Sequence, residues 1–425
     1  MKESFVQFIW RYRRIEQSTL LTTRGASIQL LQTGEFNTNA GPDFLHAKVQ
    51  IDDTLWAGHV EIHVKASDWL KHQHQHDPAY RNVILHVVWE ADEVIYRPDG
   101  QEIPCLELKP ITTPQLFLKY KKLAYNQHKI PCQESLNRIA DIKIALWLDR
   151  LLIERLDQKT QYWDRMLTSQ QNHWEEVFYQ ALAQSLGLPV NKDPLEMLAR
   201  RTPLLLLQKH RGNLVQVEAI LFGQAGLLEG QDFQEDYPRE LQQEYQFLRH
   251  KYDLQAMPAV MWKFARMRPA HFPSIRIAQL ALLVQQSQYL FSKVLALQSI
   301  EEAYHMLEVK TSYYWKDHFR LDHPSTQRRT KRLGRSTINL ILINTIIPFI
   351  FLYGKKMKMV EYTERALQLL EQIPAENNHL IRTWKDRGIE AKSAGQSQGL
   401  IQLYKHYCQY KKCLDCAIGA AILKD

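Results

Sequence analysis

The strongest constraint on the fold is a change of hydrophobic period part-way along the chain. From Ser27 to about Leu108, apolar and polar residues alternate in HAKVQID, LWAGHVEIHVK and RNVILHVVWEA, each run bounded by turn-forming residues. A period of two marks β-strands. Asp52-Asp53-Thr54 lies between two of these runs and reads as a tight hairpin turn, and Arg97-Pro98-Asp99-Gly100 as a second turn. From Glu134 onward apolar residues recur three or four apart, as in IADIKIALWLDRLLIERL, LVQVEAILFGQAGLL and VEYTERALQLLEQI, with Gly or Pro between several such stretches. The expected architecture is α+β. An N-terminal α/β domain with a mixed sheet spans residues 1–132, and a large all-helical domain spans residues 133–425.

Composition narrows the class. The 425 residues, 45% hydrophobic and 24% charged, give ample length for a buried core and exclude a disordered chain. A formal charge of +8 favours anionic partners, nucleic acid first. The start, MKESFVQFIWRYRR, has charges on both sides of a short apolar run and no small-residue cleavage site, and the five cysteines are an odd number with three bunched near the end. Both features lead to the expectation of a cytoplasmic, reducing environment. The apolar run from Ile338 to Tyr353 is shorter than the ~20 residues of a membrane span and carries Asn339, Asn344 and Pro348. It reads as a buried helix ending near the proline, so no membrane partner is expected.

Chemistry concentrates in the first hairpin. Pro42-Asp43 precedes one alternating run, and His59, Glu61, His63 and Lys65 occupy one face of the next, with Val60, Ile62 and Val64 on the other. The turn brings Asp43 beside that row, so two carboxylates from adjacent strands stand where they could share a divalent cation next to a basic group. The alternative is a solvated polar face, which alternation by itself also predicts.

This layout resembles the PD-(D/E)XK phosphodiesterase superfamily, whose signature is a Pro-Asp before one strand and an acidic-x-Lys on its hairpin partner. The resemblance implies that Asp43 and Glu61 hold Mg²⁺ or Mn²⁺ and that a metal-dependent nuclease acts on DNA or RNA. Two residues after Glu61 stands His63, and Lys65 comes one alternation later, so the lysine's role in orienting water passes to one of these two. A second match, Pro98-Asp99 with Glu107-Leu108-Lys109, is better explained by a turn and by Pro110 ending a strand.

Other segments carry competing readings. His72, His74 and His76 alternate in a polar stretch that ends in Asp77-Pro78, which suits either a loop or imidazole ligation of zinc or iron. His86, inside VILHVV, reads first as a hydrogen-bonded sheet histidine. Residues 327–335 hold five cations in nine positions, and Arg266, Arg268 and Arg276 lie near Phe272; either could contact nucleic acid or be an ordinary loop or helix junction. A transition-metal enzyme acting on a small molecule is one alternative function, and a non-catalytic nucleic-acid or protein adaptor on a degenerate nuclease scaffold is another.

Cys408, Cys413 and Cys416 form C-x4-C-x2-C, three thiolate-capable ligands within nine residues. A zinc or iron–sulfur site normally needs four ligands. Cys132 is the first candidate for the fourth, with Cys105 and His406 as alternatives. Some nuclease families of the same superfamily are similar in outline, fastening a cluster with one distant and three clustered cysteines.

Taken whole, the chain is similar to a family of bacterial proteins known only as a domain of unknown function. The similarity rests on GPDF (41–44), WAGHVEIHVKASDW (56–69), the run from Asp77 to Val88, FGQAG (222–226), RPAHFPSIRIAQLA (268–281) and CLDCAIG (413–419). It implies no established activity.

Overall fold

The computed structural model describes every residue except 16–18, 327 and 425. The chain divides into two compact units, one of Met1–Trp147 with Leu403–Asp425 and one of Leu148–Gln402. This differs from the expected boundary at 132/133. Residues up to 147 stay with the first unit, and so does the cysteine-rich end: Lys411 Nζ donates to the Asn126 carbonyl, and the Tyr407 ring lies edge-on to Trp147 with centroids 5.5 Å apart. Period alone could not see this return, because a helix packs where its apolar face finds cover, whatever its place in the sequence.

The first unit begins with helix α1 (Glu3–Arg11), whose Phe5, Val6, Phe8, Ile9 and Trp10 are buried. Strands β1 (Leu20–Leu21), β2 (Ser27–Gln32), β3 (Glu35–Phe36), β4 (Phe44–Ile51), β5 (Thr54–Lys65), β6 (Val83–Glu90) and β7 (Cys105–Glu107) make one mixed sheet in the order β1-β2-β4-β5-β6-β7, with β3 paired to β4. Pairing is antiparallel from β1 to β5 and parallel across β5–β6 and β6–β7. The β4–β5 hairpin turns at Asp52, with φ of 48°, which an aspartate tolerates better than most residues. Parallel neighbours need a connection over a sheet face, and here it comprises helix α2 (Asp68–Lys71) and two 3₁₀ turns, His74–His76 and Pro78–Tyr80. Asp77 caps the second turn by accepting from the Ala79 N–H, with Pro78 in the first position. Central β6 reads VILHVV because the sheet is covered on both faces there; its first six residues are all buried.

The hairpin departs from ideal register in one place. Ala47 pairs with Gly58, yet Phe44 pairs with Val60, so β4 takes three steps while β5 takes two. That is a β-bulge, and His46 at its centre has φ of 58°.

Helix α3 (Pro114–Tyr125) completes the front of this unit, with Tyr120 stacked on Phe5 at 4.1 Å between centroids. Helix α4 (Asp141–Ser169) then carries the chain into the second unit, which is helical apart from a two-stranded ribbon, His318–Arg320 with His323–Pro324. Its core gathers Leu152, Phe178, Phe222, Ile277, Trp315 and Phe349 among many others. Arg335–Met357 is long and apolar enough to cross a membrane, and 78% of its apolar window is buried inside the protein. It does not end near Pro348, as expected, but continues to Met357. A π-helical turn at Leu342–Ile346 precedes the proline, and Lys159 Nζ donates to the Ile343 carbonyl and to Asn344 Oδ1, both at 3.0 Å. Proline removes one helical N–H, and the widened turn with a lysine donor beside it accommodates that loss.

Candidate metal centre

The bulge decides which face Asp43 joins. In an antiparallel pair, opposed residues share a face. With Phe44 opposite Val60, Phe44 enters the core and Asp43 falls on the face of Glu61; without the extra residue Asp43 would lie on the Val60 face. The two carboxylates clasp the backbone reciprocally: the Asp43 N–H donates to Glu61 Oε2 at 3.0 Å and the Ile62 N–H to Asp43 Oδ2 at 3.2 Å. Helix α1 adds two groups that the sequence reading missed. Gln7 Nε2 donates to Asp43 Oδ1 at 3.0 Å, and Glu3 lies close enough to Asp43 for the charges to repel. The signal was present as Glu3 and Gln7 one helical turn apart, between apolar residues that all face inward.

Burial and mutual repulsion dominate the electrostatics. Burial first, then the Asp43 charge, pushes the Glu3 carboxyl up to about 7. Burial likewise raises Asp43, reinforced by Glu61, and raises Glu61 well above the usual carboxylate range. Among the described residues no Lys or Arg forms an ion pair with Glu3, Asp43 or Glu61; the only bases within ion-pair range of Glu61 are histidines.

Those histidines come from the strand and from the crossover. His63 Nδ1 is 2.9 Å from His86 Nε2, and His63 Nε2 is 3.1 Å from His72 Nδ1. Glu61 Oε1 stands 3.7 Å from His63 Nε2 and 3.4 Å from His74 Nε2. His63, His72 and His74 offer three ligand nitrogens all within 4.8 Å of one another. Trp69 lies against His86 and His74, and His74 stacks on Tyr80 at 3.8 Å between centroids, which fixes its ring. Burial lowers His63 strongly and His86 to about 3, so both are neutral imidazoles. The buried His74 Nε2 has no hydrogen-bond partner. His74 Nε2, without a hydrogen bond and 3.4 Å from Glu61 Oε1, joins a set of donors that could hold a cation: oxygen ligands suit Mg²⁺ or Mn²⁺, and imidazoles suit zinc or iron.

The remaining candidates divide. Lys65 is half exposed, 3.9 Å from Asp92, so His63 and not Lys65 stands with the carboxylates. His59 lies by His46, whose N–H is 3.4 Å from His59 Nδ1, and His76 is exposed. The backbone expected as a loop over 72–76 forms a 3₁₀ turn at His74–His76, and two of the three imidazoles, His72 and His74, reach the site. Asp99 is a turn residue that accepts from the Gln101 N–H, and Lys109 pairs with Glu90. A cleft of about 260 Å³ opens beside the site, lined in part by Trp69, His74, Tyr80, Arg81, Tyr96 and Arg97.

The basic segments lie in the second unit and are largely engaged. Gln327 lies outside the described residues. Arg328 donates to the Tyr313 hydroxyl, Lys331 Nζ to the Lys316 carbonyl at 2.6 Å, and Arg332 to Glu308 at 3.5 Å, while Arg335 lies over the Tyr304 ring. Arg276 is buried, bonded to Gln279 and His271. At the end of the first unit, Cys132, Cys408, Cys413 and Cys416 line a single small pocket, which neither Cys105 nor His406 lines.

A family model of unknown function, DUF2851, matches residues 3–379, nearly the whole chain. The chain belongs to the DUF2851 family. No curated protein and no solved structure matches it. Within this DUF2851 chain the matched stretch takes in every residue of the carboxylate–histidine site and Cys132, and stops before CLDCAIG.

Proposed function

We propose that this DUF2851 protein is a metal-dependent phosphodiesterase acting on nucleic acid. The observation that carries the reading is the bulge-aligned pair Asp43 and Glu61, with Glu3 beside them: Glu61 is buried and the other two half-buried, without a Lys or Arg among the described residues to balance their charge. Asp43 and Glu61 would hold Mg²⁺ or Mn²⁺, with Glu3 as a further oxygen donor. The bound cation would supply charge stabilisation at a phosphoryl oxygen. Gln7 fixes the Asp43 carboxylate, and the reciprocal backbone bonds hold both acids in one orientation. His63 takes the position of the superfamily's lysine as a neutral group, held at Nδ1 by His86. Its Nε2 meets His72 Nδ1 at 3.1 Å, so it would act on a water only together with His72, as a neutral group that does not keep the water's proton. In the adjoining cleft Arg81 and the exposed Tyr96 ring would meet phosphate and base, while Arg97 is held by the Arg81 and Val83 carbonyls.

Incubation with single- and double-stranded DNA and RNA in Mn²⁺ or Mg²⁺ tests the reading. Asp43→Asn should cut turnover by more than about 100-fold, beyond the usual cost of losing an outer-shell partner, with the circular dichroism spectrum unchanged. Equal cleavage by wild type and variant would overturn it. The close trio His63, His72 and His74 favours a second reading, a transition-metal hydrolase on a small molecule. Zinc or iron retained through dialysis and lost in His72→Ala, with no cleavage of nucleic acid, would select it.

A further inference from the structure

We propose that Cys132, Cys408, Cys413 and Cys416 together hold a [4Fe–4S] cluster, separate from the carboxylate–histidine centre. Cys132 lies 276 or more positions from each of the other three, and all four still line one pocket in the first unit. Chance packing of cysteines as small apolar groups does not require three from one segment to meet a fourth so distant in sequence.

Spacing separates the cluster from zinc. Four thiolates on one tetrahedral zinc, with Zn–S about 2.3 Å, stand roughly 3.8 Å from one another. A cubane with four irons between the sulfurs holds them roughly 6 Å apart. Among the described residues the one trio of ligand atoms mutually within 4.8 Å is His63, His72 and His74, so no three of these sulfurs reach zinc spacing. They nonetheless sense one another: Cys132 feels Cys416 and Cys413, and Cys408 feels the other three.

The surroundings suit a cluster. Helix Ala417–Lys424 starts directly after Cys416, and the N–H groups of Ile418 and Gly419 and the Trp147 indole donate toward the Cys416 sulfur. Donors to the sulfurs are what tunes such centres. A Cβ on Gly419 would meet the Cys413 carbonyl at 2.1 Å, so only glycine lets this helix close on the Cys413 turn. On assembly each thiol releases one proton and forms one Fe–S bond. Four thiolates on a core of charge +2 leave −2, which the neighbouring Lys411 and Lys412 partly offset. The iron, two ferric and two ferrous ions, and the four inorganic sulfides come from outside the chain at the oxidation level of the +2 core, so assembly needs no oxidant.

The test is iron, zinc and acid-labile sulfide analysis of the full chain purified without oxygen, then treated, still without oxygen, with ferric and ferrous iron in equal amounts and sulfide. Wild type should carry about four iron and four sulfide per chain, with a broad visible charge-transfer band. Cys132→Ser and Cys413→Ser should lose the band, whereas Cys105→Ser, whose sulfur lies in β7 away from the pocket, should keep it. Asp43→Asn should leave iron unchanged, so failure of the nuclease reading and failure of this one are told apart. One zinc per chain, no metal after reconstitution, or full iron in Cys132→Ser would each overturn the proposal, and the wild-type analysis does so independently of whether any variant folds.

Discussion

Burial favours the protonated forms of three carboxyls, Glu3, Asp43 and Glu61, in the folded chain relative to the unfolded one. Their pKa values are raised by burial above the ordinary carboxylate value, Glu3 to about 7. A raised folded-state value makes the native form bind more protons between roughly pH 4.5 and the folded value, so stability must fall as pH rises through that window. A divalent cation reverses the sign locally, because it binds only the deprotonated set. Urea midpoints of metal-free wild type should therefore fall between pH 5 and 8 more steeply than those of Glu61→Gln. Mn²⁺ should flatten the wild-type slope and leave the variant's unchanged. Parallel slopes without metal would show that Glu61 does not keep its proton.

At the scale of elements the site depends on one extra residue in β4. Deleting His46 removes the bulge, restores simple alternation and turns Asp43 to the face opposite Glu61. The expected result is a folded sheet by circular dichroism with Mn²⁺ affinity down by about 100-fold or more in a calorimetric titration. Retained affinity would mean that Asp43 is dispensable and that the histidines and Glu61 bind alone. The crossover between β5 and β6 is the second determinant. A parallel pair obliges the connection to pass over the sheet, and this connection carries His72 and His74 to His63 and Glu61.

For the whole molecule, the division into Met1–Trp147 with Leu403–Asp425 and Leu148–Gln402 puts both proposed metal sites in the first unit. The second unit has a separate core. Phe349→Ala there removes a fully buried ring against Trp163, Phe178 and Phe291 and should cost about 3–5 kcal/mol in chemical denaturation. Mn²⁺ affinity of the still-folded variant should stay within about twofold, since every proposed ligand lies in the other unit. A large loss of affinity would couple the two.

By itself the sequence determined the α+β class, the strand-rich start and helical remainder, and the hairpin turn at Asp52. Periods of two and of three to four follow from backbone geometry and are therefore legible in order of residues. The meeting of Cys132 with the three terminal cysteines was also within reach, because a site of that chemistry needs a fourth ligand. Only the tertiary structure decided the rest. A bulge leaves no mark in alternation beyond one misplaced residue, so the face of Asp43 was fixed by strand register. Glu3, Gln7, His72 and His74 join the site through the packing of α1 and the path of the crossover. Lys65 leaves it because β5 runs on past the carboxylates to Asp92. The continuation of the apolar helix past Pro348 rests on Lys159, 184 positions away from the carbonyl it meets, a contact that no local pattern encodes.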